Sequence, residues 1–451
     1  MDRDVVIVGA GVVGSAIARE LARFDLEVTL LEAGPDVGAG TSKANTALLH
    51  TGFDAKPGTL EARLVPRGYE LLAEYAARVG IPLERTGALL VAWDDVQRRE
   101  LPGIVERSRA NGYHAIRELD TAELYAREPH LSPGARAGLE VPDESIICPF
   151  TTPLAFATEA VLAGCVLRRH TPVTGIERIP GGFRATTPEG SLTARKLVNA
   201  AGLRSDEIDR MLGGNDFTVT PRRGELIVFD KLSRPLVHHI LLAVPTKVSK
   251  GVLVSPTVFG NIMVGPTADD VERKDDTSST AEGLAHLRKE AGRILPRLLD
   301  YDVTAVYVGL RAATEHADFQ IRFEDGYACV GGIRSTGLSA SMAIAEYVRD
   351  GLELELRPRG EGPSVTMPNL GEASPRAFQR GELIERDPEY GRVVCFCERV
   401  TRGELRDAFA SPIPPMDLDG LRRRTRAHMG RCQGFCCGAQ LAALLAEHGD
   451  A

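Results

Sequence analysis

No apolar run in this chain approaches the ~18 residues needed to cross a bilayer as a helix. Nor is there a surplus of positive charge. The 54 Lys and Arg stand against 62 Asp and Glu, a formal −8, which argues against nucleic acid as a general partner. Internal repeats and low-complexity tracts are missing. Met1-Asp2-Arg3 runs straight into an apolar strand, leaving no room for a signal peptide. A cytoplasmic protein is therefore expected, with peripheral attachment to the inner face of the cell membrane through a partner left open. A hydrophobic content of 43% and a charged content of 26% suit a globular chain. Its length sets a prior of about three domains.

Cysteine is sparse over most of the length. Cys148, Cys165 and Cys329 are scattered in apolar surroundings and read as small core residues. The other five, Cys395, Cys397, Cys432, Cys436 and Cys437, crowd into the last stretch. In a cytoplasmic chain that clustering points to a metal site rather than disulfides.

What is present is organised around DVVIVGAGVVGSAIARELARFDLEVTLLE, Asp4 to Glu32. Val5–Val8 is a wholly apolar run, as a buried parallel strand requires. Gly9, Gly11 and Gly14 form a G-x-G-x-x-G that opens a helical repeat, and Val28–Leu31 is a second strand ended by Glu32. Gly9 permits the tight turn, Gly11 lets backbone approach a pyrophosphate, and Gly14 lets the helix pack close to the sheet. The helix N-terminus attracts phosphate, and Glu32 can accept hydrogen bonds from ribose hydroxyls. A dinucleotide site is expected here.

Further along, a segment rich in Gly, Ser, Thr and Asn follows Glu32, where ligand-contacting loops are expected. Helices are expected over Arg63–Val79, from Thr121, over Thr280–Leu299 and over Met342–Gly351. The stretch Asp143–Ala163 reads as a loop entering an amphipathic helix. Strands are expected over Ala88–Trp93, Cys165–Arg168, Gly175–Ile179, a hairpin in Gly182–Leu192, Val303–Leu310 and Tyr327–Ile333. Two more strand–glycine turn–helix units, LVNAAGLRSDEIDRML and GGIRSTGLSAS, suit further close approaches of backbone to a cofactor. From Glu353 to Tyr390 periodicity fades into a linker or wrapping segment.

The fingerprint, TSKANTALLHTGFDAKPG, VNAAGLRSD, KGVLVSPTVFGNIMVGPTADD and GLRAATEHADFQI together resemble the FAD-dependent oxidoreductases of the D-amino-acid oxidase superfamily. Within it they are most similar to the glycerol-3-phosphate dehydrogenase and L-2-hydroxyglutarate dehydrogenase branch. The tail, with VVCFCERVTRGEL and GRCQGFCCG, resembles the bacterioferritin-associated-ferredoxin-like [2Fe–2S] domain.

The resemblance implies an α/β chain. Its Rossmann-like FAD-binding domain would be of the glutathione-reductase/D-amino-acid-oxidase type, with an α+β substrate domain and a small Cys-rich helical module. The oxidoreductase would span 1–352, with FAD-binding parts near 1–80, 147–225 and 305–352 and substrate-domain parts near 81–146 and 226–304. A linker at 353–390 and a cluster module at 391–451 would follow.

Carried over residue by residue, FAD would be held by Gly9, Gly11, Gly14 and Glu32, by Thr41, Ser42 and Asn45, and by Val173 and Gly202. Gly332, Gly337 and Leu338 would lie at the flavin end. Arg311 matches the anchor for the substrate's anionic group; a surface ion pair with Glu315 or Asp318 is the bland alternative. His50 matches a histidine beside the flavin and suits a general base, a structural histidine being the alternative. Thr46, Lys250 and Ser339 match substrate contacts in phosphate-binding relatives. Of Arg222 and Arg223, the sequence does not say which faces the site.

Cys395, Cys397, Cys432 and Cys437 supply the four thiolates of a [2Fe–2S] cluster. Structural zinc is the alternative, and Cys436 competes with Cys437 for the fourth place. Phe396 stands where relatives often carry Arg. The basic run Arg422–Arg426 reads as a solvated or cluster-neighbouring surface. The expected reaction is oxidation of sn-glycerol 3-phosphate, with electrons leaving through the cluster to a flavoprotein or iron–sulfur partner, or to a quinone. L-2-hydroxyglutarate, an amino acid or amine, or a non-catalytic electron-transfer role are the rivals.

Overall fold

The computed structural model describes residues 1–245 and 251–448. The apolar run at the N-terminus becomes the centre of a parallel sheet. Across the sheet lie Tyr327–Gly331, Gly190–Asn199, Arg3–Val8, Val28–Leu31 and Val166–Arg168, all parallel. Parallel strands are buried on both faces, which is why these stretches read as continuous apolar runs. Gly182–Thr187 and Gly190–Asn199 form the expected hairpin, and Gly175–Ile179 adds antiparallel to Gly182–Thr187. The helices Val12–Leu21, Thr151–Leu162, Gly337–Gly351 and Leu60–Val79 pack on this sheet and on one another.

Three expectations are corrected. Thr151–Leu162 is not amphipathic but buried nearly all round, polar members included. Its Glu159 is satisfied internally, by Arg19 Nε at 3.0 Å and the Tyr75 hydroxyl at 2.8 Å. The last core helix begins at Gly337 rather than Met342. Its buried Ser341 satisfies its own hydroxyl on the Leu338 carbonyl, so the polar start does not break the helix. The strand Val303–Ala313 runs past Arg311, because its antiparallel register with Thr220–Phe229 continues to Thr220 and Ala313. Cys148, Cys165 and Cys329 are core residues, as expected.

Thr220–Phe229 and Val303–Ala313 lead out of the parallel sheet into a second, mixed one. That sheet includes Ile262–Gly265, Leu253–Pro256, Ile240–Ala243, Ala88–Ala92 and Ala137–Val141. It has its own core, built on Leu89, Phe229, Val254 and Leu287, beneath the helix Ala281–Ile294. Among the described residues no helix is long and apolar enough to cross a membrane.

The C-terminal module is a two-stranded ribbon, Val393–Cys395 with Val400–Thr401, and three helices, Arg402–Phe409, Leu418–Thr425 and Gly438–His448. Its small core includes Val400, Leu405, Leu421 and Leu441. The basic run is not a solvated surface. Arg423 and Arg424 are buried and close on Asp36 of the main body, Arg424 with two bonds of 2.6 and 2.7 Å and Arg423 with one of 2.7 Å. Arg426 is buried as well, ion-paired to Glu398 at 3.0 Å and stacked on Phe259. Lys43–Asp419 at 2.6 Å and Lys231–Glu398 at 3.1 Å add to the junction.

Burial opposes ionisation of Asp36, but the hydrogen bonds and charges of Arg424 and Arg423 outweigh it and hold its carboxyl below the usual range. Depressed in the folded state, this group contributes stability above its unfolded value near pH ~3.9, and that contribution is lost as pH falls through the folded value. Asp36→Ala leaves two buried guanidiniums without a counter-charge. Removing one partner of a buried pair costs roughly 3–5 kcal/mol. Urea unfolding of the holoprotein at pH 7 should show a loss of that order, and the gap from wild type should close on acidification below about pH 4.

Candidate functional site

The nucleotide fingerprint folds as its residue types require. Gly9 takes φ +102°, and a Cβ there would lie 2.6 Å from the Ala200 carbonyl oxygen. A Cβ on Gly14 would overlap the Gly9 carbonyl itself. Only glycine lets the strand end, the helix and the second β–α turn converge here. The helix Val12–Leu21 starts at Gly11 without a cap from that residue, and the Val12 N–H donates to Ser42 Oγ at 2.9 Å. Glu32 accepts from the Ala10 and Gly34 N–H groups, both at 2.8 Å. Burial raises its carboxyl against the pull of those donors. Each oxygen keeps lone-pair capacity for hydroxyl donors.

Beside Glu32 runs the segment leading to Val173, with the Thr171 N–H on the Glu32 carbonyl at 2.8 Å. Gly202 takes φ +57°, with open space where a side chain would stand. Gly332 lies buried in the turn before the helix Gly337–Gly351, and Leu338 is buried in its first turn. A helix N-terminus, glycine cradles and a carboxylate with spare acceptor capacity fit an adenine dinucleotide.

The loop after Glu32 ties these parts to the second sheet. Thr41 Oγ1 donates to the Leu310 carbonyl at 2.8 Å, and the Tyr307 hydroxyl donates to the Asn45 carbonyl at 2.7 Å. Ala44 presses on Gly309 so closely that a Cβ there would overlap its carbonyl oxygen. The Asn45 side chain spans its own turn, donating to the Ser42 carbonyl and accepting from the Ala47 N–H. Thr46 is half-buried in the same loop. The His50 N–H donates to Ser339 Oγ at 2.7 Å, joining the loop to the helix Gly337–Gly351.

Arg311 pairs with neither Glu315 nor Asp318. Glu315 accepts from the Thr218 N–H, and Asp318 caps the helix at Leu60 and Glu61. The Arg311 guanidinium donates to the Thr267 carbonyl at 2.7 Å, and among the described residues no carboxylate forms an ion pair with it. Burial first, and then the Arg222 charge, lower its pKa. Arg222 stands directly opposite Arg311 in the ladder, so the two share a face. Arg223, one residue on, turns to the other face, toward Glu225. Arg222 is therefore the one on the Arg311 face, and its guanidinium grips Asp270 with bonds of 2.6 and 3.0 Å. Lys250 lies outside the described residues.

Sequence reasoning missed Glu144. It is buried, and the antiparallel pairing of Leu49 with Ser145 carries it to His50. Its Oε1 lies 3.0 Å from His50 Nδ1 and accepts from the Thr51 N–H at 2.8 Å and the Thr51 hydroxyl at 2.7 Å. Asp54 Oδ1 lies 3.3 Å from His50 Nε2. No motif announces these partners, since Glu144 is 94 residues away along the chain.

In the module the thiols group by pairs. Cys395 reaches Cys437, Cys397 reaches Cys432, and Cys436 also approaches Cys432. Cys437 and Cys395 are buried in the module core, whereas Cys436 is exposed. Backbone N–H groups turn to the sulfurs. Those of Cys436 and Gly434 point at Cys432, which is held below the usual thiol range, and that of His428 points at Cys437. Among the described residues no three ligand side chains stand in the tight grouping of a single metal ion. Paired thiols with N–H donors fit a cluster that takes two thiolates on each of two irons better than a lone tetrahedral zinc.

Residues 4–350 match the family model "FAD dependent oxidoreductase". The chain belongs to that family. Residues 393–447 match the BFD-like [2Fe–2S] binding domain. FAD and a [2Fe–2S] cluster are accordingly its cofactors. The chain is 36% identical over 453 residues to a glycerol 3-phosphate dehydrogenase of Caloramator mitchellensis, covering 98% of this chain and 94% of that protein. It is 33% identical to the glycerol 3-phosphate oxidase of Mycoplasma pneumoniae, over 77% of this chain and 94% of the relative. Dithionite-reduced L-α-glycerophosphate oxidase from M. pneumoniae with FAD bound superposes with a TM-score of 0.77 at 30% identity, covering 80% of this chain and 98% of that one.

The thiol grouping gives a direct test. Cys437→Ser should lower iron and acid-labile sulfide, assayed on anaerobically purified protein, to well under half of wild type, while Cys436→Ser should leave them unchanged. The reverse pattern would make Cys436 the ligand.

Proposed function

We propose that this oxidoreductase converts sn-glycerol 3-phosphate to dihydroxyacetone phosphate and passes the electrons through its terminal cluster to an acceptor other than oxygen. The observation that carries the substrate class is Arg311: a guanidinium fixed at the Thr267 carbonyl, beside Arg222, with no carboxylate of its own among the described residues. Such a group favours a dianionic ligand that brings the missing charge. Glycerol 3-phosphate is named by relatives over most of their length, one of which matches the tail as well.

In this reading Arg311 anchors the phosphate and Ser339 and Thr46 flank the glycerol. Lys250 is proposed as a second phosphate contact. His50 accepts the C2 hydroxyl proton at Nε2. When bound, FAD supplies the acceptor for the C2 hydrogen and its electron pair. Holding phosphate, hydroxyl and base at fixed separation makes the proton transfer effectively intramolecular.

The docked module supports the electron route. Gln433, between the cluster cysteines, donates to the Thr304 carbonyl at 2.9 Å. Thr304 is the second residue of the strand that meets the FAD loop at Tyr307, three residues or roughly 10 Å further on. An enzyme reoxidised by oxygen would need no such module. The outlet is proposed to be a redox protein, at the membrane surface or in solution.

Anaerobic mixing with glycerol 3-phosphate should bleach the flavin absorbance, while L-2-hydroxyglutarate and amino acids should not. Bleaching by one of those instead would replace the substrate, and bleaching by none would favour a purely electron-transferring role. Arg311→Ala should cost about 2–5 kcal/mol in kcat/KM for glycerol 3-phosphate, and an unchanged value would remove Arg311 from the site.

A further inference from the structure

We infer that Arg222 is a further phosphate-binding residue, whose guanidinium Asp270 holds until the phosphate displaces it. This rests on Arg311 being the phosphate anchor, as proposed above. Strand parity sets the face. Tyr307, Gly309 and Arg311 alternate along one strand and so point to one side of the sheet. The Tyr307 hydroxyl reaches the Asn45 carbonyl and Gly309 lies against Ala44, so that side is the one covered by the loop after Glu32. Across the ladder Leu226, Gly224 and Arg222 stand opposite those three. Arg222 therefore shares the loop-facing side with Arg311. Gly224 leaves room between them: a Cβ there would lie 3.4 Å from Arg311 Nη2 and 3.4 Å from the Thr267 carbonyl oxygen. The Arg311 guanidinium fills the space that a side chain at 224 would take.

Like charges directly opposite each other on a ladder are destabilising, so two guanidiniums in this register call for an anion. One segment, Thr267 to Asp270, meets that need in part. Its Thr267 carbonyl takes Arg311 at 2.7 Å, and its Asp270 carboxylate takes Arg222 with bonds of 2.6 and 3.0 Å. The Arg311 charge also acts on Asp270, yet the one carboxylate bonds Arg222. A phosphate dianion carries three acceptor oxygens and charge enough for both forks. The Arg222–Asp270 pair is open to exchange. Its side chains are 40% and 50% exposed, and ion pairs in such positions contribute little. The buried pairing of Asp36 with Arg424 has no such freedom. Exchange turns Asp270 out to water, removes its repulsion of the dianion and gives the phosphate two guanidiniums in place of one.

The test titrates the FAD-loaded holoprotein by calorimetry at pH 8 with 3-hydroxypropyl phosphate, which carries the phosphate but no C2 hydroxyl and so binds without turnover. Arg222→Met should weaken binding about tenfold, as expected for one lost charge-assisted contact. Asp270→Ala removes the competitor and should tighten binding by about two- to fivefold, the range of an exposed ion pair. In [15N]arginine-labelled protein the Arg222 Nε–H signal is assigned by its loss in Arg222→Met. In Asp270→Ala it should weaken through exchange with water, then return when the probe is added, because phosphate takes the place of the carboxylate. If Asp270 only pins the sheet edge, Asp270→Ala weakens binding or leaves it alone, and the Nε–H signal does not return. Either result, or an unchanged Kd in Arg222→Met, overturns the inference while the phosphate reading stands. Wild-type protein that does not bind the probe overturns both.

Discussion

Everything in this structure hangs on one short segment, Asp36 to His50, gripped from four sides. Ser42 sits at the N-terminus of the dinucleotide helix, and Thr41, Ala44 and Asn45 press on the strand that carries Arg311. His50 is tied to Ser339 at the start of the last core helix. Asp36 and Lys43 receive the terminal module. Apart from the short pairing of Leu48 and Leu49 with Ser145 and Ile146, the segment has no ladder of its own and needs such outside partners to satisfy its backbone. It thereby links the dinucleotide fingerprint, the Arg311 strand and the module.

The second constraint is electrostatic. Two guanidiniums and one carboxylate, all buried, form the junction between module and main body. Such a group contributes little net stability compared with an apolar contact, yet it penalises any misdocked arrangement that leaves a charge unpaired. It suits an attachment that must keep one orientation. On the face shared by Arg222 and Arg311 the balance differs: Arg222 has Asp270, while Arg311 has only a carbonyl. That surplus positive charge is what the proposed function uses to hold an anionic substrate.

Local chemistry made much of the molecule readable from its residues. The fingerprint from Asp4 to Glu32 and the buried parallel strands are set by short-range pattern, and the structure has them where the pattern puts them, whereas the thiols pair across the module, Cys395 with Cys437 and Cys397 with Cys432. What escaped depends on contacts between distant segments. Glu144 looks like an ordinary turn residue in DES until the pairing of Leu49 with Ser145 brings it to His50. Arg422–Arg426 reads as a solvated or cluster-neighbouring surface because composition cannot show that Asp36 waits for Arg423 and Arg424. Thr151–Leu162 looks amphipathic because its buried polar groups are paid for by Arg19 and Tyr75, far away in sequence. Which of Arg222 and Arg223 faces Arg311 follows only from strand register, since neighbours on a strand point to opposite faces.

In the proposed function the chain brings together a histidine base, a dinucleotide site for a two-electron acceptor and thiolates for a one-electron carrier. The most direct measurement is freeze-quench electron paramagnetic resonance of iron-replete, FAD-loaded protein mixed with glycerol 3-phosphate in the absence of oxygen. The spectrum of a reduced [2Fe–2S] cluster should appear as the flavin absorbance is lost, without any added mediator. A flavin that is fully reduced by glycerol 3-phosphate while the cluster stays oxidised and silent would contradict electron transfer through the terminal thiolates.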